Sequence, residues 1–361
     1  MNPIFDVVIA GAGPGGCAAA LSLKSHAPQL RVCLVDHAQD TGSLIGEAAS
    51  PQLRPLLEQL ALWQAFQIEG QKPVYRSRAA WGGPRAEGVE FFEFPLTEGW
   101  TLERAGFNRF MLHAAEDVVD RRLTDHVALI RRGPDGLWQL GSAKGTPLAR
   151  GRVVIDATGR AGAICRLLGA RAQRHDRLIG YYASTPSLAG AEPGVLLETC
   201  AEGWWYTAEL PGARRVVAFM GDADLTRKDM GLDDALFWEM LNATRHIRHV
   251  IAPGTVLSLT PHPAASQVMR SDLPHTILPV GDAAACFDPI AGSGIVKALR
   301  GGIFASYAIA DHLLKSHPNA LGQYHAFRRR EWDAYRITWR KYYAQEQQFP
   351  HSPFWQRRQM P

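Results

Sequence analysis

The run Val7-Val8-Ile9-Ala10-Gly11-Ala12-Gly13-Pro14-Gly15-Gly16 constrains this chain more than any other segment. A short β-branched strand runs into glycines spaced G-x-G-x-x-G at Gly11, Gly13 and Gly16, with Pro14 among them, and Cys17 to Lys24 continues as an Ala- and Leu-rich helix. A second β-branched run, Arg31 to Val35, ends in Asp36. Strand, glycine turn, helix, strand and acid, in that order, are the dinucleotide-binding βαβ unit. Gly11 permits the tight turn, Gly13 lets a pyrophosphate approach the backbone, and Gly16 lets the helix pack closely on the strand. The helix N-terminus offers free N–H groups and the positive end of its dipole. Asp36 falls about twenty residues past the glycines, where a carboxylate accepts ribose hydroxyls. An acid there disfavours a 2′-phosphate, which leaves NAD or FAD.

A chain of 361 residues is long enough for two domains or one large interleaved one. Its net charge of +4 is too small to imply a nucleic-acid partner. The five cysteines, Cys17, Cys33, Cys165, Cys200 and Cys286, are scattered and never in C-x-x-C spacing, which speaks for a reducing compartment. The apolar start is the βαβ strand itself, and no stretch reaches the ~18 uninterrupted apolar residues of a membrane span. A cytoplasmic protein with no membrane partner is expected; its oligomeric state is left open.

Further along, Pro51 to Trp63 carries a helical stripe at Leu53, Leu56, Leu57, Leu60 and Leu62. Val74 to Leu96 changes to short aromatic runs broken by Gly82, Gly83 and Pro84, a hairpin pattern. Phe107 to Val119 is helical, and the strands Val127 to Ile130 and Leu137 to Leu140 flank a Gly-Pro-Asp-Gly turn. Val153 to Ile155 is a buried strand ending in Asp156. Residues 178 to 221 and 254 to 269 are β-rich, and Asp224 to His249 between them is mostly helical. Thr276 to Val280 is a strand ending in Gly281-Asp282, and Ile295 to Leu314 is a long helix. The tail, 320 to 361, is helical, aromatic and basic. The nucleotide domain is therefore discontinuous: 1–73, 101–178 and 270–315, with a β-rich substrate domain over 74–100 and 179–269 and a C-terminal helical segment over 316–361.

Three glycine-acid segments belong together: GAGPGG at 11–16, Asp156-Ala157-Thr158-Gly159-Arg160, and Gly281-Asp282 leading through Asp288-Pro289 to Gly292-Ser293-Gly294. This set resembles the FAD-dependent monooxygenases of the para-hydroxybenzoate hydroxylase fold, whose relatives include the flavin-dependent tryptophan halogenases. The resemblance covers nearly the whole chain. It implies an α/β protein with an FAD-binding Rossmann-like domain of the glutathione reductase type, an inserted β-rich substrate domain and C-terminal helices. It implies non-covalent FAD and O₂, with NAD(P)H or a separate flavin reductase as electron donor. Asp282 would meet the ribityl chain or pyrophosphate, and Gly292, Gly294 and Ile295 would offer backbone N–H groups to the isoalloxazine edge. Val127 and Ala128 match a strand beside the adenine, and Glu47 and Arg104 match positions lining the cofactor. Each also has a plainer role open to it: Asp156 or Asp282 as a helix cap, Arg104 and Glu47 as solvated surface charges.

Four segments are similar to the flavoprotein maturases of cysteine tryptophylquinone oxidases and dehydrogenases: 45–63, 77–83, 203–222 and 349–358. The implied activity is hydroxylation of a tryptophan in a precursor protein or peptide through a flavin C4a-hydroperoxide. A halogenase or small-aromatic hydroxylase and a non-oxygenating FAD reductase are the alternatives. Halogenases carry a lysine soon after the Gly-Glu loop and a W-x-W-x-I-P segment. Here Lys72, followed by Pro73, is the lysine within 41–100, and Trp204-Trp205-Tyr206 stands without Ile-Pro. Trp204, Trp205 and Tyr206 are the pocket candidates, with core packing as their other use. No metal-ligand or nucleophilic constellation stands out, so the catalytic side chains are unknown; His113 suits packing or the surface. The tail's aromatics and arginines, Arg328, Arg329 and Arg357 among them, suit either helices that close the flavin domain or a docking surface for a protein substrate.

Overall fold

The computed structural model describes residues 3–37, 47–90, 98–228, 233–252, 259–270 and 273–359. The first layer is a seven-stranded sheet. From one edge it runs Arg121–Thr124, Val32–Asp36, Ile4–Ala10, Pro147–Asp156, Trp138–Gly141 and Leu129–Arg132, and Ile277–Pro279 also pairs with Pro147–Asp156. The strands at the nucleotide end are parallel, with Val7 beside Val153 and Val32. The strands 129–132 and 138–141 form an antiparallel hairpin that continues into 147–156.

Both faces of this sheet are covered, which is why its strands read as unbroken apolar runs rather than alternating ones. Val7, Ile9, Val153 and Ile155 pack on one side with the helices Pro14–His26, Arg104–Glu116 and Gly294–Leu314. Phe5, Val8, Val35 and Val154 pack on the other with Trp138 and Ile164. The glycine-loop helix, Pro14–His26, is buried throughout Gly15–Leu23, and its small side chains admit the long helix Gly294–Leu314 alongside.

The second layer is a seven-stranded sheet in the order Thr260–Pro263, Leu178–Pro186, Arg214–Asp222, Gly203–Leu210, Val195–Cys200, Arg76–Ala80 and Glu87–Glu90. Strand alternation divides its two faces. On one, Trp205 and Phe219 pack against Phe237 and Leu241 of the helix Asp234–Asn242. On the other, Trp204 and Met220 pack beneath Tyr343, Phe354 and Trp355 of the tail. Two three-stranded sheets join the layers: 47–49, 99–102 and 72–74, and 171–174, 267–270 and 285–286. The domain boundary drawn at residue 269 falls inside the strand Gln267–Arg270, whose partners both belong to the nucleotide side.

Several boundaries shift from expectation. The 51–63 stripe is two helices, Leu53–Gln59 and Trp63–Ile68, because Ala61 turns left-handed (φ 57) between Leu60 and Leu62. The strand expected at 127–130 begins at Leu129, although Val127 is buried. Within the expected helical stretch 224–249 the described residues hold helices at 223–228 and 234–242 and a 3₁₀ turn at 247–249. Parts of the expected loop at 41–50, the hairpin region at 74–96 and the block at 254–269 lie outside the described residues. Among the described residues no helix is long and apolar enough to cross a membrane.

The tail is the helices Ala320–Gln345 and Pro353–Gln359. Most of its aromatic residues face inward: Tyr324, Trp332, Tyr335, Tyr343, Phe354 and Trp355 are buried, whereas Tyr342 is exposed. Arg358 is buried against Asp222, and Arg357 is ion-paired with Asp222 and Asp224. These contacts support the reading of tail helices that close the flavin domain, and Arg357 is not the free surface charge it looks like in sequence. The tail spends its rings on closing the second layer over the first.

Candidate functional site

The three glycine-acid segments meet at the carboxyl ends of the parallel strands, where a doubly wound sheet binds its ligands. Gly11 has φ +101°, and a Cβ there would fall 2.3 Å from the Ala157 carbonyl oxygen. At Gly16 a Cβ would lie 2.0 Å from the carbonyl oxygen of Gly11. At Gly13 the space is different: beyond its own turn and chain neighbours, nothing lies within 4 Å of where a Cβ would stand. Gly13 is the extended N-cap of the glycine-loop helix, Pro14 opens it, and no side chain caps its first amides. The turn is thus held shut at two glycines and open at the third, a cradle for an anion at a helix N-terminus.

Asp36 accepts the Ala12 N–H at 3.0 Å and so already borders the cradle. Asp125 N–H donates to the Asp36 carbonyl, and Val127 packs with Ala10 and Val35. Val127 therefore packs beside the strand that ends in Asp36, from a connecting segment rather than from within a strand, while the Ala128 N–H donates to the Gly141 carbonyl at 2.9 Å. Asp156 is a correction. Its carboxylate is fully buried and accepts the Thr158 N–H at 3.1 Å, the Thr158 hydroxyl at 2.5 Å and the Cys165 N–H at 2.9 Å. It ties the loop behind Gly11 to the short helix Ala163–Leu167, a structural use that leaves its oxygens occupied.

Asp282 sits in a 3₁₀ turn just past Ile277–Pro279, with its side chain 44% exposed. Lys297 Nζ, itself buried, lies 2.7 Å from Asp282 Oδ1, donates to the Ala285 carbonyl and sits 4.5 Å above the Phe287 ring. Burial pushes the Asp282 carboxyl up, but Lys297, Arg160 and Arg104 outweigh it and hold the group below the usual carboxylate range. Arg104 opens the helix Arg104–Glu116, whose N-cap Glu103 accepts the N–H groups of Ala105 and Gly106. Its guanidinium pairs with Glu47, yet its Nε is buried without a hydrogen-bond partner. Burial pushes Arg104 down to about 10, with Asp282 opposing. Arg104 is not a solvated surface charge, since it is largely buried and feels Asp282; Glu47, its side chain 37% exposed, reaches this cleft as the ion-pair partner of Arg104.

The long helix Gly294–Leu314 points its N-terminus into this cleft. Its N-cap Ser293 makes no side-chain cap, and Gly292 and Gly294 face open space, while Ile295 is buried behind them. The preceding loop is clamped from the tail. Phe287 stacks flat on Tyr335 at 4.0 Å, and Asp288 N–H donates to the Tyr335 oxygen. The buried Asp288 carboxylate accepts the Ile290 N–H at 3.0 Å, Trp339 Nε1–H at 3.0 Å and the Tyr343 hydroxyl at 2.8 Å. Tyr343 in turn accepts Trp204 Nε1–H at 3.0 Å. Burial, then Asp176, pushes the Asp288 carboxyl up to about 6 against these donors.

Strand alternation separates the three pocket candidates. Trp204 and Tyr206 lie on the face that packs with Ile290 of the clamped loop, together with Tyr182. Trp205 points into the opposite core, 5.0 Å from Phe237, and is removed from the site. Tyr206 Oη accepts the Ala48 N–H, which joins this wall to the Glu47 strand. Burial pushes the phenols of Tyr206 and Tyr182 well up, so both stay neutral. Sequence reasoning missed Lys297 and the Asp288–Tyr343–Trp204 chain. A single lysine in the apolar stretch Gly294–Leu299, and the i, i+4 spacing of Trp339 and Tyr343, were the available signals.

Open cradle, unpartnered Arg104 Nε, Asp282 and a second helix N-terminus in one cleft define a dinucleotide-binding protein of the flavin type, and these residues fit FAD. No protein-family profile matches the chain. A protein of Marinomonas mediterranea described as a FAD-dependent oxidoreductase, LodB, is 30% identical over 369 residues, covering 98% of this chain and 96% of LodB. The chain belongs to the family of this FAD-dependent oxidoreductase and is itself an oxidoreductase that uses FAD. Among solved structures, the myxobacterial chondrochloren halogenase CndH superposes with a TM-score of 0.87 at 20% identity, over 99% of this chain and 86% of its own. The peptidyl tryptophan dihydroxylase QhpG superposes with a TM-score of 0.79 at 20% identity, over 99% of this chain and 79% of its own. At that identity the two establish a shared fold.

Proposed function

We propose that the enzyme is a monooxygenase that hydroxylates a tryptophan within a precursor protein or peptide, on the way to a tryptophylquinone cofactor. FAD, when bound and reduced, supplies the activation of O₂. The chain's own residues bind and orient. The Gly13 cradle and Asp36 receive the dinucleotide, and Asp282, kept ionised by Lys297, holds the flavin's polar chain. The N-terminus of Gly294–Leu314 places its dipole at the ring edge. NAD(P)H or a separate reductase supplies electrons in this scheme.

The observation that carries oxygenation over halogenation is the state of Lys72. Its Nζ lies 2.6 Å from Glu209 Oε1, an ion pair that supports a structural use for it, and Pro73 after it departs from the halogenase context. Lys297 is likewise committed to Asp282. The wall beside the flavin loop offers neutral phenols and an indole whose N–H is already donated to Tyr343. Such a wall shapes an aromatic substrate's site without taking its proton. A tryptophan in a protein is favoured by the similarity of segments 45–63, 77–83, 203–222 and 349–358 to the quinone-cofactor maturases, and the peptidyl tryptophan dihydroxylase QhpG shares the fold.

The test is product mass. Reduced enzyme, O₂ and bromide are mixed with a tryptophan-containing precursor or with free tryptophan. Oxygen added to the precursor, independent of bromide, is the expected result. Bromide-dependent halogen addition, or modification of free tryptophan alone, refutes the reading.

A further inference from the structure

A cavity of about 980 Å³ lies behind the flavin loop, between the tail helix Ala320–Gln345 and the strand Gln267–Arg270. Gly281, Ala285 and Lys297 contribute to its lining, so it backs onto the Asp282–Lys297 pair. None of its lining residues belongs to the glycine cradle at 11–16. On the tail helix, His325, Arg328, Arg329, Trp332 and Arg336 line it. Steps of three and four residues put these on one stripe of the helix. Arg270 lines it from the facing strand.

Two acids share the lining, Glu331 and Asp333, against four arginines, and no ion pair joins either acid to those four. The cavity's Glu331 is committed to Arg300 at 2.5 Å. Among the described residues, Arg270, Arg328, Arg329 and Arg336 form no ion pair. Arg328 makes one long bond, 3.4 Å to the Ala284 carbonyl, and its Nε is buried with no partner. The neighbouring histidines are held down first by burial, and the arginines add to it. His175, 4.9 Å from Trp332, is held below its ordinary value by burial and by Arg336 and Arg270, with Asp176 opposing. His325 is pushed down to about 4 by burial, Arg328, His275 and Arg329, with its bond to the His275 carbonyl opposing.

The buried Arg328 Nε lacks an acceptor, which is costly, and an arriving anion would satisfy it while the more exposed Arg270 and Arg329 and the half-buried Arg336 add charge around it. Arginine forks suit phosphate oxygens in paired, charge-assisted bonds. The volume lies within the range of small-ligand pockets, roughly 300–1,000 Å³. We propose that this cavity is a second ligand site, one that binds a small molecule carrying two or more phosphate groups on Arg270, Arg328, Arg329 and Arg336. It adjoins the FAD cleft through Gly281 and Lys297 without using the glycine cradle, and it does not depend on which substrate the enzyme oxygenates.

The probes are inorganic diphosphate, ATP, NADH and NADPH, titrated calorimetrically into FAD-loaded enzyme at fixed ionic strength. Diphosphate should bind, and raising the salt should weaken it. Tighter binding of a nucleotide than of diphosphate places the nucleoside in the cavity as well. NADPH binding above NADH assigns the extra affinity to the 2′-phosphate. Arg328→Ala/Arg336→Ala should weaken binding by about tenfold or more with FAD content unchanged. Should that double variant fold poorly, Arg329→Ala and Arg270→Ala replace exposed side chains and should show the same direction. Failure of all four probes to bind overturns the proposal. So does binding that these substitutions leave unaltered, or binding of an acidic peptide but of no phosphate.

Discussion

Removing one oxygen, by Tyr343→Phe, tests whether the tail clamp on the flavin loop is held by the hydrogen bonds described. The Tyr343 hydroxyl donates to Asp288 Oδ2 at 2.8 Å and accepts Trp204 Nε1–H at 3.0 Å, and all three residues are buried. Phenylalanine keeps the ring contacts with Trp339 and Trp355, so little cavity is opened. What is lost is one bond to a carboxylate, roughly 1.5–3 kcal/mol, and an indole N–H is left unsatisfied, roughly 1–3 kcal/mol. With partial relaxation, a destabilisation of about 2–4 kcal/mol is expected at pH 8. The sign of its pH dependence follows from Asp288, raised to about 6. A raised carboxyl binds its proton more tightly in the native state. Its own contribution to stability is full below the ordinary carboxyl range and is lost as pH rises through about 6. Tyr343 donates to the ionised form, so its bond is strongest above that value and weakens toward a neutral bond below it. The cost of Tyr343→Phe should therefore be about 1 kcal/mol smaller at pH 5 than at pH 8. The assay is urea unfolding at both pH values, at one fixed FAD concentration because bound cofactor adds stability of its own. Tyr342→Phe, at an exposed ring, is the control and should stay within about 0.5 kcal/mol. A cost below about 0.5 kcal/mol at pH 8, or one equal at both pH values, refutes the argument.

Gly13→Val should abolish the yellow colour while the apoprotein keeps its unfolding midpoint, because the new side chain enters space that no protein atom occupies; a fully loaded yellow variant contradicts the cradle. Asp282→Ala should weaken FAD by about 1–3 kcal/mol, read from flavin fluorescence on dilution. It should also lower stability, because Lys297 is left buried without its carboxylate. Adding Lys297→Met should restore stability but not FAD affinity, and recovery of both would reduce Asp282 to a structural partner of the lysine.

The nucleotide half was legible from sequence because its signals are local. Gly11, Gly13, Gly16 and Asp36 act through the backbone of their own turn and strand end, so spacing alone conveys their use. Apolar runs such as Val7–Ile9 and Val153–Ile155 likewise announce a sheet covered on both faces. Asp156 shows where local signals mislead: an acid after a strand looks the same whether it faces a ribose or, as here, bonds Thr158 and Cys165. Trp204, Trp205 and Tyr206 are contiguous in the chain, but the period of two sends Trp205 to the far core and leaves the others by the flavin loop. Lys297 beside Asp282, Arg104 between Glu47 and Asp282, and the tail's grip on Asp288 join segments 15 to 178 residues apart. No local pattern encodes such pairings, because their energy comes from shared burial of opposite charges and matched donors. Burial is a property of the packed molecule, so the tertiary fold alone decided which charges of this chain are surface and which are site.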